Sequence, residues 1–539
     1  MLNCLRRSAN VGLTQSRMPL LFIPVNYLVA KSRFVKLYDY NFFLVMQNLI
    51  PTRQFQFSFY ATLFVLYGVL IFQCLYNRSV WNDEACLILT ITNRHARDLF
   101  LPLDYLQIAP VLFLQIVKLT TVLFGDSEYA LRLFPLLCSL AAIPLFYFFC
   151  LRFTGNRMLA LFAIILLAIS PGFIYYSSEV KQYCTDLFVT LLLYNTAFNN
   201  SDSLVKRRTL ALSIVGVIAI FLSNISIIIL VTIGLFFLYT SWKTKSIKRE
   251  HWIPAVVWII AFGINFLLFI KDHPSASYMR EFWQMAFMPL DVFGSPFRDF
   301  MRRSMKIFST LLFSFPGPYL FLITLLLFLG GLLAMLLEKR YLLLHLCVTP
   351  IAIHLGLSAI KMYPFEMRLL LYQAPFYILS IIFGLYWVVN KLISNPRSRI
   401  AITSICIALM AVKTFMNYPM TSDEIKHAIK YINSMHKPGE SMYVAAGASP
   451  AVKYYRQRGF AKFDDLSLSL GKETFYDPRN FLKNIDDLHG RVWLLSSDVF
   501  PFRNNKEEEK AIATAIKERG KLVSQKDFIG STVYLYDMH

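Results

Sequence analysis

Residues 132–151 read RLFPLLCSLAAIPLFYFFCL, an uninterrupted apolar run headed by Arg132 and closed by Arg152 just beyond it. About 20 apolar residues is the length an α-helix needs to cross a hydrocarbon core of about 30 Å. The run is far too long, and lacks the alternating period, for a strand of a membrane barrel. Ten further runs of this kind lie near 57–76, 157–175, 183–199, 209–223, 225–241, 252–270, 318–337, 341–360, 369–390 and 399–417. The sequence therefore predicts a polytopic α-helical membrane protein with about 11 spans. Composition agrees: the 539 residues are 56% hydrophobic and only 16% charged, against about 25% charged in an average soluble chain.

The net charge of +21 would suit nucleic acid if it formed one patch, but it is spread through short loops between the apolar runs. Arg152/Arg157, Lys206/Arg207/Arg208, Lys243/Lys245/Lys248/Arg249, Lys339/Arg340 and Lys391/Arg397/Arg399 all fall on one side. The positive-inside rule makes that side the cytoplasm. A basic leader at 1–56 joins it, read as cytoplasmic rather than as a cleaved signal, because Pro19, Pro24 and Asn26 interrupt its apolar stretch. The eight cysteines sit mostly in or beside spans and form no CxxC pair. Neither disulfides nor a zinc–thiolate site is predicted.

Three regions follow: the leader at 1–56, a membrane domain at 57–418, and a non-cytoplasmic domain at 419–539. The last is a small α/β unit. A helix is predicted over 421–436, strands near Met442–Ala445, Val492–Leu495 and Thr532–Leu535, and a polar helix over about 504–519. The long loops at 77–131 and 271–317, the short loops at 176–182 and 361–368, and this domain share the non-cytoplasmic face. Val111–Phe124 is predicted to lie along the membrane surface as an amphipathic helix, and Phe308–Phe315 as an interfacial or re-entrant piece.

That face collects polar residues that need a reason. Asp83 and Glu84, in Trp81-Asn82-Asp83-Glu84-Ala85, are costly beside a span unless solvated or functional; the plain alternative is an ordinary loop start. Gln107 and Pro110 follow about 25 residues later. Glu128 and Arg132 sit four apart at the mouth of a span, which suits either helix stabilisation or function. Pro171 is placed to kink the 157–175 span, and Glu179, Lys181 and Tyr183 come just after it. Lys361, Tyr363 and Arg368 put two cations on the face that the positive-inside trend leaves poor in them, where they suit a lipid-linked phosphate. His273 beside Asp272 has no metal-ligand spacing around it.

Taken in order, these pieces resemble the membrane-embedded GT-C glycosyltransferases, in the dolichyl-phosphate-mannose-protein mannosyltransferase-like and aminoarabinose-transferase-like group. The matching elements are W-x-D-E-A at Trp81–Ala85, a Q-x-x-P-like element at Gln107–Pro110 and F-G-x-S-E-x-A-x-R-L at Phe124–Leu133. Ser170-Pro171, E-x-x-x-Y at Glu179–Tyr183, and Y-P-F-x-x-R-L at Tyr363–Leu369 with Pro375 downstream complete the set. The resemblance spans about 57–390. It implies a GT-C fold and inverting transfer of a sugar from a polyprenyl-phosphate donor to a lipid, glycan or protein acceptor on the extracytoplasmic face of a bacterial inner membrane.

It further implies Asp83 as the catalytic carboxylate with Glu84 beside it. Arg368, Lys361, Arg132 and Lys181, in that order, become candidates to bind the donor phosphate, with Gln107, Glu179, Tyr183 and Tyr363 completing the substrate site. Either Glu179 or Asp186 could fill the place of the relatives' second acid. Relatives often carry a charged residue or His before a Pro-Pro pair where this chain has Gln107-Ile108-Ala109-Pro110. No metal ligand is carried over, and no cofactor is assigned beyond leaving a divalent metal open. A lipid or solute transporter of envelope assembly is the rival reading; it predicts ionisable residues deep within several spans, which the runs nearly lack.

Overall fold

The computed structural model describes residues 52–198, 205–312, 318–463, 467–470, 488–497, 514, 516 and 518–538. The leader up to residue 51 and most of the expected 504–519 helix lie outside the described residues.

Each of the eleven apolar runs falls on helix. Helix α1 (Thr52–Leu75) is followed by α2 (Asn82–Asn93), α3 (Val111–Phe124), α4 (Glu128–Thr154), α5 (Arg157–Ala168), α6 (Pro171–Ser177), α7 (Tyr183–Ala197), α8 (Val205–Leu222), α9 (Ser226–Thr244) and α10 (Arg249–Asn265). Then come α11 (Ala276–Phe282), α12 (Ser295–Leu312), α13 (Pro318–Leu337), α14 (Tyr341–Ala359), α15 (Ala374–Leu392) and α16 (Pro396–Met416). By length and composition, seven described helices can cross a membrane, or eight if the bent pair α5–α6 is one span. The expected count of about 11 is not confirmed among the described residues. Helix α7, for instance, has 15 residues, fewer than the roughly 17 a span needs. Helices α8 and α9 are separate elements, as the two runs at 209–223 and 225–241 predict.

Local chemistry explains the boundaries near the site. Ser127 caps α4 by accepting from the Ala130 N–H at 3.2 Å, and Gly155 ends that helix in the left-handed region at φ 69°, the conformation glycine adopts without a Cβ penalty. Asn156 then caps α5 through the N–H groups of Met158 and Leu159. Pro171 lacks an N–H to continue that helix, and α5 and α6 meet at 62°. The 77–131 segment is more regular than its description as a loop implied. Helix α2 occupies 82–93 with nine of its residues buried, and Asp83 and Glu84 lie in its first turn, where the helix dipole favours acids. The interfacial piece predicted at Phe308–Phe315 is the end of α12, which runs to Leu312; residues 313–317 lie outside the described residues.

Helices α13 and α15 cross at two glycines. A Cβ on Gly331 would stand 1.8 Å from the Ser380 carbonyl oxygen, and one on Gly384 2.1 Å from that of Leu327. Small residues that let backbones touch are a recurrent device of helix packing in lipid. Gly384→Ala should therefore force the crossing apart at a cost of about 1–3 kcal/mol. The check is the melting temperature of the purified protein, which an unchanged value would contradict.

The carboxy-terminal unit contains α17 (Ile425–Met435), β1 (Ser441–Val444), α18 (Ser449–Gln457), β2 (Ser467–Leu470), β3 (Gly490–Ser497), β4 (Gly520–Phe528) and β5 (Ser531–Met538). The sheet order is β2-β1-β3-β5-β4. Strand β1 pairs parallel with β2 and β3, and β5 pairs antiparallel with β3 and β4. Val492–Leu495 is buried without alternation, as expected of a strand covered on both faces. The unit packs on the membrane domain. Gln73 exchanges two 2.8 Å hydrogen bonds with the backbone of Met420, and the Tyr418 hydroxyl donates to the Val69 carbonyl at 2.7 Å.

Candidate active site

Helix α2 presents Asp83 at its first turn, part-exposed, between two cations. Lys181 Nζ lies 2.9 Å from Asp83 Oδ1, and Arg368 Nη1 lies 2.5 Å from Oδ2. The same ammonium donates to Gln107 Oε1 at 2.7 Å. Four residues separated by up to 285 positions thus meet at one carboxylate. Burial works to raise the Asp83 pKa, yet Lys181 and Arg368 outweigh it and hold the group at about 2. Trp283 and Trp81 lie 4.8 and 5.6 Å from the Arg368 guanidinium, within cation–π range.

Glu84 faces elsewhere. Consecutive helical residues are about 100° apart around the axis, so its side chain enters a closed cage behind Asp83. Both Glu84 oxygens accept from Arg132 at 3.0 Å; Oε2 also accepts from Arg78 at 3.2 Å and Oε1 from the Val180 N–H at 3.0 Å. Glu84 is fully buried and both arginines nearly so. The expected place beside Asp83 in the reaction is geometrically a place in the scaffold beneath it. Arg132, expected on the donor phosphate, is likewise spent on Glu84, with Glu128 at 3.6 Å.

Glu179 lies between the cage and the Asp83 cluster. It accepts from the Trp81 indole N–H at 3.0 Å, and Arg78 stands 3.7 Å from its second oxygen. Burial pushes its pKa up to about 7 against the pull of Arg78. Of the two candidates for the second acid, Glu179 reaches this centre. Asp186 instead accepts a hydrogen bond from Ser223 at 2.6 Å. Tyr183 is buried at the start of α7, its ring edge-on to Tyr176 at 5.1 Å.

Two expected residues stand apart. Lys361 is exposed, and among the described residues no hydrogen bond or ion pair ties it to the cluster. Tyr363 packs edge-on against His354, ring centres 5.2 Å apart. Arg78 is the residue the sequence reading missed. It donates to Glu84 and to the Ser178 carbonyl, and lies 4.3 Å from the Tyr175 ring. The available signal was a lone cation on the non-cytoplasmic side, without a motif around it. Among the described residues, no three His, Cys, Asp or Glu side chains group as a metal-binding set.

An apolar cleft of about 180 Å³ is lined by Met301, Met305, Phe308, Leu311, Phe365 and Leu370 among others. Its walls come from α12, α13, α15 and the turn at Met367–Gln373 that carries Arg368.

Comparison with known proteins places this architecture. A crystal structure of ArnT from Cupriavidus metallidurans bound to undecaprenyl phosphate matches it with a TM-score of 0.52 at 14% identity, covering 90% of this chain and 98% of that one. The apo state of the same protein gives a TM-score of 0.47 at 12% identity, covering 89% and 97%. Residues 109–268, from just before α3 to just past the end of α10, match the family model described as dolichyl-phosphate-mannose-protein mannosyltransferase. No curated protein matches the chain in sequence.

Proposed function

We propose that the protein transfers a sugar from a polyprenyl-phosphate donor to an acceptor on the extracytoplasmic face of a bacterial inner membrane, with inversion at the anomeric carbon. The observation that carries this reading is one part-exposed carboxylate, Asp83, held between Lys181 and Arg368, the latter on a turn whose Leu370 lines an apolar cleft. The family match over residues 109–268 and the undecaprenyl phosphate bound by ArnT support it.

In this mechanism the isoprenoid lies in the cleft and its phosphate meets Arg368 and Lys181. Charge-assisted hydrogen bonds from these cations stabilise the leaving phosphate as the bond from C1 to oxygen breaks. The acceptor attacks C1 from the opposite side and loses its proton toward Asp83. A carboxylate held at about 2 is a weak base, but a bound phosphate shares the two cations and releases Asp83 toward its ordinary range. Lys181 thereby takes the part that the sequence reading gave to Lys361. Gln107 fixes the ammonium, and Glu84 positions α2 from beneath.

Charge balance makes a further expectation. With Glu179 neutral, five cations (Arg78, Arg132, Lys181, Arg368, Lys426) face three ionised carboxylates (Asp83, Glu84, Glu128). Above about pH 7 Glu179 ionises and opposes the donor phosphate. Donor KM is therefore expected to rise as pH passes upward through about 7, and Glu179→Gln to flatten that rise. A wild-type KM unchanged between pH 6 and pH 8 would contradict this role.

The activity itself is tested by incubating the purified protein with defined polyprenyl-phosphate sugars and an envelope extract as acceptor, following labelled sugar. Transfer is the expected result. Movement of the intact lipid across a vesicle bilayer, without cleavage of the sugar–phosphate bond, would establish the transporter reading instead.

A further inference from the structure

We infer that the carboxy-terminal domain forms part of the reaction scaffold, with Tyr455 and Lys426 as positioning residues for Asp83; this rests on the catalytic role proposed for that carboxylate. Residues 77–81 join α1 to α2 without regular structure, and Arg78, Ser79, Val80 and Trp81 are all buried. Buried backbone N–H and C=O groups need partners. Here side chains from two directions supply them.

From the membrane domain, Arg132 donates to the Arg78 carbonyl at 3.0 Å and Arg78 to the Ser79 carbonyl at 3.2 Å. The others come from the carboxy-terminal domain. The Val80 N–H donates to the Tyr455 hydroxyl at 2.7 Å, and Lys426 Nζ donates to the Asn77 carbonyl at 2.8 Å. The Lys426 backbone N–H also donates to Ser79 Oγ at 3.1 Å.

Lys426 does a second thing. Its ammonium lies 2.7 Å from Glu128, whose carboxylate stands 3.6 Å from Arg132, the main partner of Glu84. The domain thus grips both the connection that sets where α2 begins and the cage beneath its first turn. Tyr455 is 1% exposed and its ring lies 5.7 Å from the Lys426 ammonium, so the two side chains support each other. Val80 is three residues before Asp83. A displacement there is passed directly to the carboxylate through the helix start, and catalytic rates are sensitive to shifts of about 1 Å.

The experiment uses the full chain in one detergent, comparing wild type, Tyr455→Phe, Lys426→Met and Lys426→Arg. Tyr455→Phe keeps the ring and removes only the hydroxyl. Two quantities are read: kcat and donor KM for transfer, and hydrogen exchange of the peptide covering 77–85. The expected result for Tyr455→Phe and Lys426→Met is a kcat lowered about tenfold or more with donor KM changed less than about twofold. Exchange over 77–85 should quicken in both, and Lys426→Arg should restore much of the loss. Unchanged exchange overturns the inference. So does quickened exchange, or a lower melting temperature, with wild-type kcat per folded molecule, because the domain would then only stabilise. A wild type inactive on every polyprenyl-phosphate sugar would overturn the proposed function instead, and the exchange measurement would still decide whether these side chains hold 77–85.

Discussion

Asp83→Asn is expected to lower sugar transfer by about 10²–10⁴-fold, the usual effect of losing a positioned acid–base group. The substitution keeps the size of the side chain and one oxygen that Lys181 can reach. It removes the negative charge that faces Arg368 and Lys181, and with it the base proposed to take the acceptor proton. Because those cations are then unopposed, donor binding should hold or tighten while kcat falls. That split separates a catalytic carboxylate from one that only loads the donor, for which KM would rise and kcat would stay. Folding should survive, since Asp83 is part-exposed and the fully buried cage around Glu84 is untouched.

Glu84→Gln is expected to behave in the opposite way, as a loss of the folded protein. Glu84 receives three hydrogen bonds from Arg78 and Arg132 and one from the Val180 N–H, in a site closed to solvent. Removing one partner of a buried ion pair leaves charge uncompensated at a cost of about 3–5 kcal/mol. Two guanidiniums would be left so here. The measure is the melting temperature and the yield of monodisperse protein. A variant as stable as wild type would show that Glu128 and Glu179 suffice to balance the arginines, and the cage would not be what seats α2.

Much of this was legible in the sequence, because lipid restricts what a chain can do. Every long apolar run became a helix, and Pro171 bends the 157–175 run where its missing N–H requires. The number of spans was less legible. Apolar length alone does not separate a crossing helix from a 15-residue one such as α7, packed among its neighbours. In the site, Asp83, Gln107, Lys181 and Arg368 were each found as misplaced polar groups on one face, and the structure brings them to one point. Glu84 looked like a partner of Asp83 because it is adjacent in sequence, yet helix geometry turns it into the cage. Arg78 has no motif to mark it, and Lys361 carries the right charge at the wrong end of its turn. The hold of Tyr455 and Lys426 on residues 77–80 was out of reach, since it joins positions about 350 apart and depends on how two domains dock.

Asp83, gripped by Arg368 and Lys181, is proposed as the point at which the sugar–phosphate bond of a polyprenyl-phosphate donor is broken. The most direct measurement is the release of polyprenyl phosphate from a defined sugar-loaded donor, in the presence of acceptor, by purified wild type and Asp83→Asn of equal melting temperature. Steady release by wild type and at least a hundredfold less by the variant is the expected result. Equal release by both would contradict it.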